Sequence, residues 1–510
     1  MRSPFLSAPA PPIDLVDRLR PVLDAAYDCG PRAGSKCFEN TRVEVVQDID
    51  DWAHSPGDRH LGLLDGPAGF GKSAIARTVA ERWDHSNFLA GTFFFFRNSG
   101  DQSKVVRLVT TLAYDLTRYI PETTQSIENA LIDDPRLLNR PIEQQFQKLI
   151  VDPIVALPKQ SRRRMIIIDA LDECEDRESI RQLINFTASI DYSKFSVDFL
   201  FTSRREEHIR KIFEFPSSNY MIYRLSLSNT AFNVHGDIEH FLRSQFSVIY
   251  QQNPRLMENI SPPWPSPSDL DGIVGKVNGS FIFASTLTKY IGDGMEPPHR
   301  LRLVVESHNG VDDMYKIIIE PLSRDVRFAI VFSTIMLLRT PLSVTDLASL
   351  LDLTVPDILI EIFKIQSILV IPTDNKTPVD VVHTSLRDFS ASKERSEALF
   401  VNTPQNHLLT AERCLKVMLT QSGGIVFEGG AARYASEHWH VHLRLSLEDP
   451  NSKYLRYDLP VLNSFVGQFK IWFNTILSRY EHDKIYAALE TLIPKAEVGP
   501  PSAQLKLLLI

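Results

Sequence analysis

LLDGPAGFGKSAIA, residues 63–76, sets three glycines, a lysine and a serine between two apolar runs. Gly66-Pro67-Ala68-Gly69-Phe70-Gly71-Lys72-Ser73 satisfies G-x-x-x-x-G-K-[ST], and it falls where a strand pattern gives way to helical spacing. The pattern has a mechanical reason. Glycines let the backbone curl until successive N–H groups point at one anion. The helix that follows, beginning around Ala74, turns its positive end to the same place. Lys72 is then placed for β- and γ-phosphates, and the Ser73 hydroxyl for Mg²⁺. A chance glycine turn would not come with that flanking context.

A metal needs a second element, and MIIIDALDEC (residues 165–174) supplies it. Four apolar residues make a buried strand with Asp169 at its C-terminal end, the edge where open α/β sheets bind ligands. Asp172 and Glu173 follow directly, where a carboxylate can polarise an attacking water. A third apolar run, VDFLFTSRRE (residues 197–206), ends in Thr202-Ser203-Arg204, and Arg204 is placed to sense a γ-phosphate or stabilise transferred charge.

Outward from these motifs, apolar runs alternate with helical spacing from Thr41 to about residue 225. HLGLLDG precedes GKSAIARTVAERW, AGTFFFFR precedes VVRLVTTLAYDLTRYI, RRMIIIDA precedes ESIRQLINFTASI, and SVDFLFTSR precedes EEHIRKIF. Continuous apolar strands separated by helices predict a parallel sheet covered on both faces. Ahead of it, Val43, Val46, Ile49 and Trp52 are spaced to share a helix face. Residues 1–36 are Pro- and Ala-rich and read as a lead-in helix. Residues 226–322 read as a helical domain, broken by the loop SPPWPSPSD. Three short helices followed by SILVIP and VDVVHTS around a polar turn make a winged-helix pattern over 323–400. Residues 401–510 read as a helical C-terminal region.

The 510 residues exceed one ordinary core. A net charge of −8 supplies no global pull toward nucleic acid or anionic membrane, so neither is expected as a partner. No apolar run approaches the ~18 residues of a membrane span. Cys29, Cys37, Cys174 and Cys414 are scattered without a C-x-x-C pair, which fits a reducing, cytoplasmic setting. Lys159–Arg164 (KQSRRR) reads as a solvated turn entering a strand, and Phe93–Phe96 as a strand buried on both faces. His438, His440 and His442 would share a face only on a strand, and no fourth ligand accompanies them, so no zinc site is expected.

Strand–GxxxxGKS–helix, then hhhhDxLDE, then TSR resembles the NACHT-type NTPases of the signal-transducing (STAND) ATPase class. CFENTR (37–42), TFFFFR (92–97), QFQKLIVDPI (145–154) and GSFIFAST (279–286) resemble the fungal NACHT proteins in particular, and the likeness runs from about residue 37 to 390. The resemblance implies a NACHT P-loop domain over 37–225 with a Walker A loop from Gly66 to Ser73. It implies that Thr41 and Arg42 lie near the adenine of ATP or ADP, that Gly66, Pro67, Ala68, Gly69, Phe70, Gly71, Lys72, Ser73 and Ala74 wrap the phosphates, and that Ser73 and Asp169 hold Mg²⁺. Asp172 and Glu173 become the catalytic acidic pair, with Glu173 the base, and Arg204 the sensor arginine. HTSLRDF, His383 to Phe389, resembles the segment whose histidine reaches the β-phosphate of ADP and locks a closed state, which makes His383 the candidate latch. Two features depart from the pattern: about 36 residues precede the match where an effector domain is common, and no repeat array is visible after it.

The implied function is a nucleotide-controlled, NLR-like conformational switch, of the innate-immunity or heterokaryon-incompatibility kind. It would hydrolyse ATP slowly, self-associate when active, and act on a downstream signalling protein. The alternatives are an ATPase turning over continuously and a nucleotide-binding scaffold without turnover.

Overall fold

A computed structural model describes residues 14–30, 34–97, 100–158, 162–214, 222–227, 232–294, 296–307, 310–419, 424–446 and a few positions from 464 to 475. The remainder of the expected C-terminal helical region and the KQS of Lys159–Arg164, residues 159–161, lie outside the described residues. The chain divides into two compact units, Met1–Phe241 with Gly279–Phe281, and Leu242–Asn278 with Ile282–Ile510.

The first unit is built on a five-stranded sheet: β1 (Leu61–Asp65), β2 (Leu89–Phe94), β3 (Arg164–Asp169), β4 (Val197–Ser203) and β5 (Tyr223–Ser226), in the order β2-β3-β4-β1-β5. Every pairing is parallel. Because side chains alternate across a strand, an unbroken apolar run must be covered on both sides. Ile166 and Ile168 accordingly join Phe93, Phe199 and Phe201 in one apolar cluster. Met165 and Ile167 join Leu64, Phe94 and Leu200 in another. The covering helices include Val43–His54, Lys72–His85, Val105–Tyr119 and Arg177–Ala188.

Details differ from the sequence reading where tertiary packing overrides local pattern. Val46, Ile49 and Trp52 are buried, but Val43 at the helix start is exposed. Phe95 and Phe96 are buried beyond the end of β2 and not within it. The short strand β5 carries no long apolar run and gave no signal of its own. Among the described residues the lead-in has a short α-helix, Leu15–Leu19, and a 3-10 turn, Leu23–Ala25, along the β2 side of the sheet, and residues 1–13 and 31–33 lie outside the described residues. There the Val22 N–H donates to Thr111 Oγ1 at 2.9 Å and the Tyr27 N–H to Thr92 Oγ1 at 3.2 Å.

The second unit is mainly helical. Helices Val326–Leu337, Val344–Leu351 and Val355–Phe363 precede a short antiparallel pair, β6 (Leu369–Val370) and β7 (Asp380–Val381). Helices Pro404–Met418 and Gly430–Ser446 then pack together. His438, His440 and His442 lie on the second of these, where helical spacing turns His440 away from the face that His438 and His442 share, and no group of three or more metal-binding side chains occurs among the described residues.

His442 is instead a link in a buried polar chain. His407 Nε2 lies 2.6 Å from Asn402 Oδ1, His407 Nδ1 3.0 Å from His442 Nδ1, and His442 Nε2 2.7 Å from the Tyr434 hydroxyl. The Tyr434 oxygen accepts the Arg339 N–H at 3.2 Å. One proton assignment satisfies all four contacts. His407 Nε2–H donates to Asn402, His442 Nδ1–H donates to His407, and Tyr434 donates to His442. Both imidazoles are then neutral, and a further proton on either would set N–H against N–H or against the Tyr434 hydroxyl hydrogen. Burial is the main cause that lowers His407 to about 4 and holds His442 well below its usual value, and Arg339 lies close enough to disfavour charge on both.

The unfolded chain protonates His407 near pH 6.5, whereas the folded chain resists until about 4. The contribution of His407 to stability is therefore expected to be level above pH 6.5 and to fall below it, by about 2 kcal/mol at pH 5, while buried Asp115 in the first unit, pushed up to about 7, pulls the other way. Urea midpoints of the unmodified chain and of His407→Gln, compared at pH 7.5 and pH 5, check this. A difference in midpoint between the two chains that is the same at both pH values would contradict the neutral chain.

Candidate functional site

The glycine loop leaves β1 at Asp65 and enters the helix at Lys72. Gly69 and Gly71 have φ of +79° and +88°, a region open to glycine at little cost. Gly66 is confined for another reason: a Cβ there would meet Leu227 Cβ at 3.0 Å. The buried Lys72 ammonium donates to the carbonyls of Gly66 and Pro67, both at 2.8 Å. Loss of water pushes it down to about 8, while Asp172, Asp169 and Glu173 act to keep it charged.

Arg42 braces the loop from outside. It caps the helix Val43–His54 in the left-handed region at φ +58°, held there by an N–H donated to Asp237 Oδ2 at 3.0 Å. Its Nη2 donates to the Phe70 carbonyl at 2.9 Å, and the guanidinium stands 4.9 Å over the Phe281 ring. Nε and Nη1 are buried without a hydrogen-bond partner among the described residues. Such orphans cost about 1–3 kcal/mol each. The Thr41 hydroxyl is committed locally, donating to the Phe38 carbonyl at 2.7 Å.

Asp169 stands at the end of β3, fully buried. Thr202 donates its hydroxyl to Asp169 Oδ1 and accepts the Ala170 N–H at 3.0 Å, while Ser73 also hydrogen-bonds the Asp169 carboxyl. Burial raises the Asp169 pKa, and Arg77, Thr202 and Ser73 each oppose that rise. Arg77 lies one turn beyond Ser73 on the same helix, with its guanidinium 4.4 Å over the Phe94 ring.

Asp172 and Glu173 occupy a single helical turn, Leu171–Glu173, entered through Ala170 at φ +59°. Asp172 Oδ1 accepts from the Ser203 hydroxyl at 3.2 Å and the Arg204 N–H at 2.8 Å. Arg204 Nε lies 3.1 Å from Oδ2 as an ion pair without hydrogen-bond alignment. Arg204 Nη2 is 3.8 Å from Glu173 Oε1. The Arg97 N–H donates to Glu173 Oε2 at 3.1 Å, and its Nη2 donates to the Asp172 carbonyl at 2.8 Å.

The sheet therefore gathers Arg42, Gly66–Ala74, Asp169, Asp172, Glu173 and Arg204 within the first unit. A strand order of β2-β3-β4-β1-β5, a glycine cradle and a lysine one residue before the Ser73–Asp169 contact decide the fold class. The first unit has a P-loop NTPase fold. Residues 43–204 match the family described as Nephrocystin 3, N-terminal. Among solved structures the chain is similar to the signal transduction ATPase with numerous domains and a tetratricopeptide repeat sensor of Pyrococcus horikoshii, at 13% identity, over 92% of this chain and 58% of that one, with a TM-score of 0.44. It spans little more than half of that protein's length. It is also similar to a Walker-type ATPase of Pyrococcus abyssi, at 11% identity over 68% of this chain and 94% of the other, TM-score 0.35. A third likeness is to the Orc1 protein of Aeropyrum pernix solved with DNA, at 12% identity over 72% and 96%, TM-score 0.31. No protein of curated function matches the chain.

The P-loop NTPase domain fits a nucleotide with a divalent cation. Glycine N–H groups and Lys72 could hold phosphates, the buried Arg42 donors lack an acceptor, and the Ser73–Asp169 pair offers hard oxygen ligands of the kind Mg²⁺ takes. Bound Mg²⁺ would neutralise phosphate charge. Glu173 could orient or deprotonate a water, and Arg204 could meet developing negative charge.

His383 belongs to the second unit, just after β7. The Ser385 N–H donates to its Nδ1 at 3.1 Å, the Ser385 hydroxyl lies 2.7 Å from that nitrogen, and the same hydroxyl lies 2.8 Å from that of Tyr315. Sequence reasoning missed Arg77, Arg97 and Thr202 as individual members of the site. Arg77 had a signal, four residues past Ser73 on one helix face. Arg97 had another, a charge closing a run of four phenylalanines.

Lys72→Ala is expected to weaken ATP binding at least about 100-fold, and Arg42→Met about 10-fold through the loosened Phe70 carbonyl. Titration calorimetry with Mg-ATP measures both, and affinities equal to the unmodified chain would detach nucleotide binding from this loop.

Proposed function

We propose that the chain is an adenine-nucleotide switch that hydrolyses ATP slowly, with Ser73 and Asp169 holding Mg²⁺, Glu173 as base, Asp172 and Arg204 as its partners, and Thr41 and Arg42 beside the adenine. The observation that carries this reading is the packing of the phosphate loop on a segment far along the chain. Gly279, at φ +84°, is so close to the Phe70 ring that a Cβ there would come within 2.8 Å of it. Phe281, two residues on, lies under Arg42, which holds the Phe70 carbonyl. In this reading a loop that shifts with its phosphate load acts on Gly279 and Phe281. A motor or kinase has no need of that coupling, whereas a switch is defined by it.

In this reading the segment 226–322 relays the loop's state, and 323–400 is a winged helix whose His383 contacts the β-phosphate of ADP in a closed state. A ligand moves a two-state equilibrium only by its difference in affinity for the two states, and a closed-state imidazole supplies one. Exchange for ATP favours an open form that self-associates and engages a downstream signalling protein, and hydrolysis resets it. The resemblance to fungal NACHT proteins supports an NLR-like role of the immunity or incompatibility kind. No helix of the described residues is long and apolar enough to cross a membrane.

Glu173→Gln is expected to retain ATP while lowering hydrolysis about 100-fold, and His383→Ala to release ADP faster and favour assembly. The co-purifying nucleotide, and the mass in solution before and after exchange to a non-hydrolysable ATP analogue, test the switch. A mass and ADP off-rate unchanged by both exchange and His383→Ala would end it.

A further inference from the structure

The turn that carries the acidic pair is gripped from the far side of the sheet by one residue. Strands β2 and β3 run parallel in a register that sets Phe94 beside Asp169, and the Phe95 N–H donates to the Asp169 carbonyl at 3.1 Å. Three residues further along each chain, Arg97 arrives beside Asp172 and Glu173. Its guanidinium Nη2 donates to the Asp172 carbonyl at 2.8 Å, which belongs to the peptide group joining Asp172 to Glu173. Its own N–H donates to Glu173 Oε2 at 3.1 Å. The Glu173 side chain is thus fixed at its root through the preceding peptide and at its tip through the carboxylate. Arg204, from β4, reaches Glu173 Oε1 only at 3.8 Å.

We infer that Arg97 is a positioning residue for hydrolysis: it sets where the Glu173 carboxylate stands relative to the phosphate loop. This rests on the reading of Glu173 as the base. The turn needs such a brace, since it is entered through a non-glycine residue in the left-handed region, Ala170 at φ +59°. A base works only within a narrow placement, and a displacement near 1 Å can cost about 100-fold in rate. The guanidinium does not contact the glycine loop through these bonds, so its removal bears on placement of the base and leaves the grip on nucleotide intact.

The full chain carrying Arg97→Met keeps the main-chain N–H bond to Glu173 and loses the brace on the peptide, together with the 4.0 Å ion pair from Nη2 to Glu206. Its kcat for ATP hydrolysis is expected to fall about 10- to 100-fold, with KM and the calorimetric Kd for Mg-ATP within about twofold of the unmodified chain. Arg97→Lys retains one donor able to reach the Asp172 carbonyl and is expected to recover much of the rate. In a Glu173→Gln background, Arg97→Met is expected to cost little more, because both changes disable the same group. An undiminished kcat in Arg97→Met, a loss of ATP binding as large as the loss of rate, or an equal further loss in the Glu173→Gln background overturns the inference. An unmodified chain that binds ATP and never hydrolyses it, or hydrolyses it as fast with Gln at 173, overturns the base assignment itself and this inference with it.

Discussion

Strand β4 runs between β1 and β3, and everything at the nucleotide end of the sheet follows from that adjacency. Parallel registers align Asp65 with Ser203 and Ile168 with Phe201, so three strands stop level with one another. The glycine loop, Asp169 and Thr202–Arg204, spread between residues 66 and 204 of the sequence, thereby share one edge. Thr202 records the fit most directly. Its hydroxyl serves the Asp169 carboxylate and the Ala170 N–H at once, tying β4 to the point where β3 turns away.

That edge concentrates charge where water is scarce. Lys72, Asp169, Asp172 and Glu173 are all buried. Removing charges from water is costly, and a buried ion is tolerated only with close partners. The partners here are mostly rigid: loop carbonyls for Lys72, hydroxyls for Asp169, main-chain N–H groups for Asp172 and Glu173. Groups held by backbone need little rearrangement when charge develops nearby. Two buried Arg42 donors and Asp172 Oδ2 have no hydrogen-bond partner among the described residues.

The second unit places polar groups in its interior for a different end. The Asn402–His407–His442–Tyr434 chain crosses from the segment ahead of one helix into a second helix, and continues to the Arg339 N–H. Because His407, His442 and Tyr434 each donate once and accept once, the chain specifies how those two helices meet, and a slip by one residue would orphan all of it. Alternating histidines in HWHVHL suggested a shared face only if that stretch were a strand. As a helix, the same spacing leaves His438 and His442 one turn apart, both against the Tyr434 ring, and turns His440 to another face.

Local sequence determined the phosphate loop, the buried strands and the end-of-strand carboxylate, because glycine conformational freedom and unbroken apolar runs act over a few residues. It also determined that the sheet had to be parallel and doubly covered. Only the tertiary structure decided that Arg97 and Arg77 join the site, that Arg42 spans from the loop to Phe281, and that His442 pairs with His407. Those contacts depend on strand register and on which helix faces meet, and register is set by packing between distant segments, which no short window of residues contains.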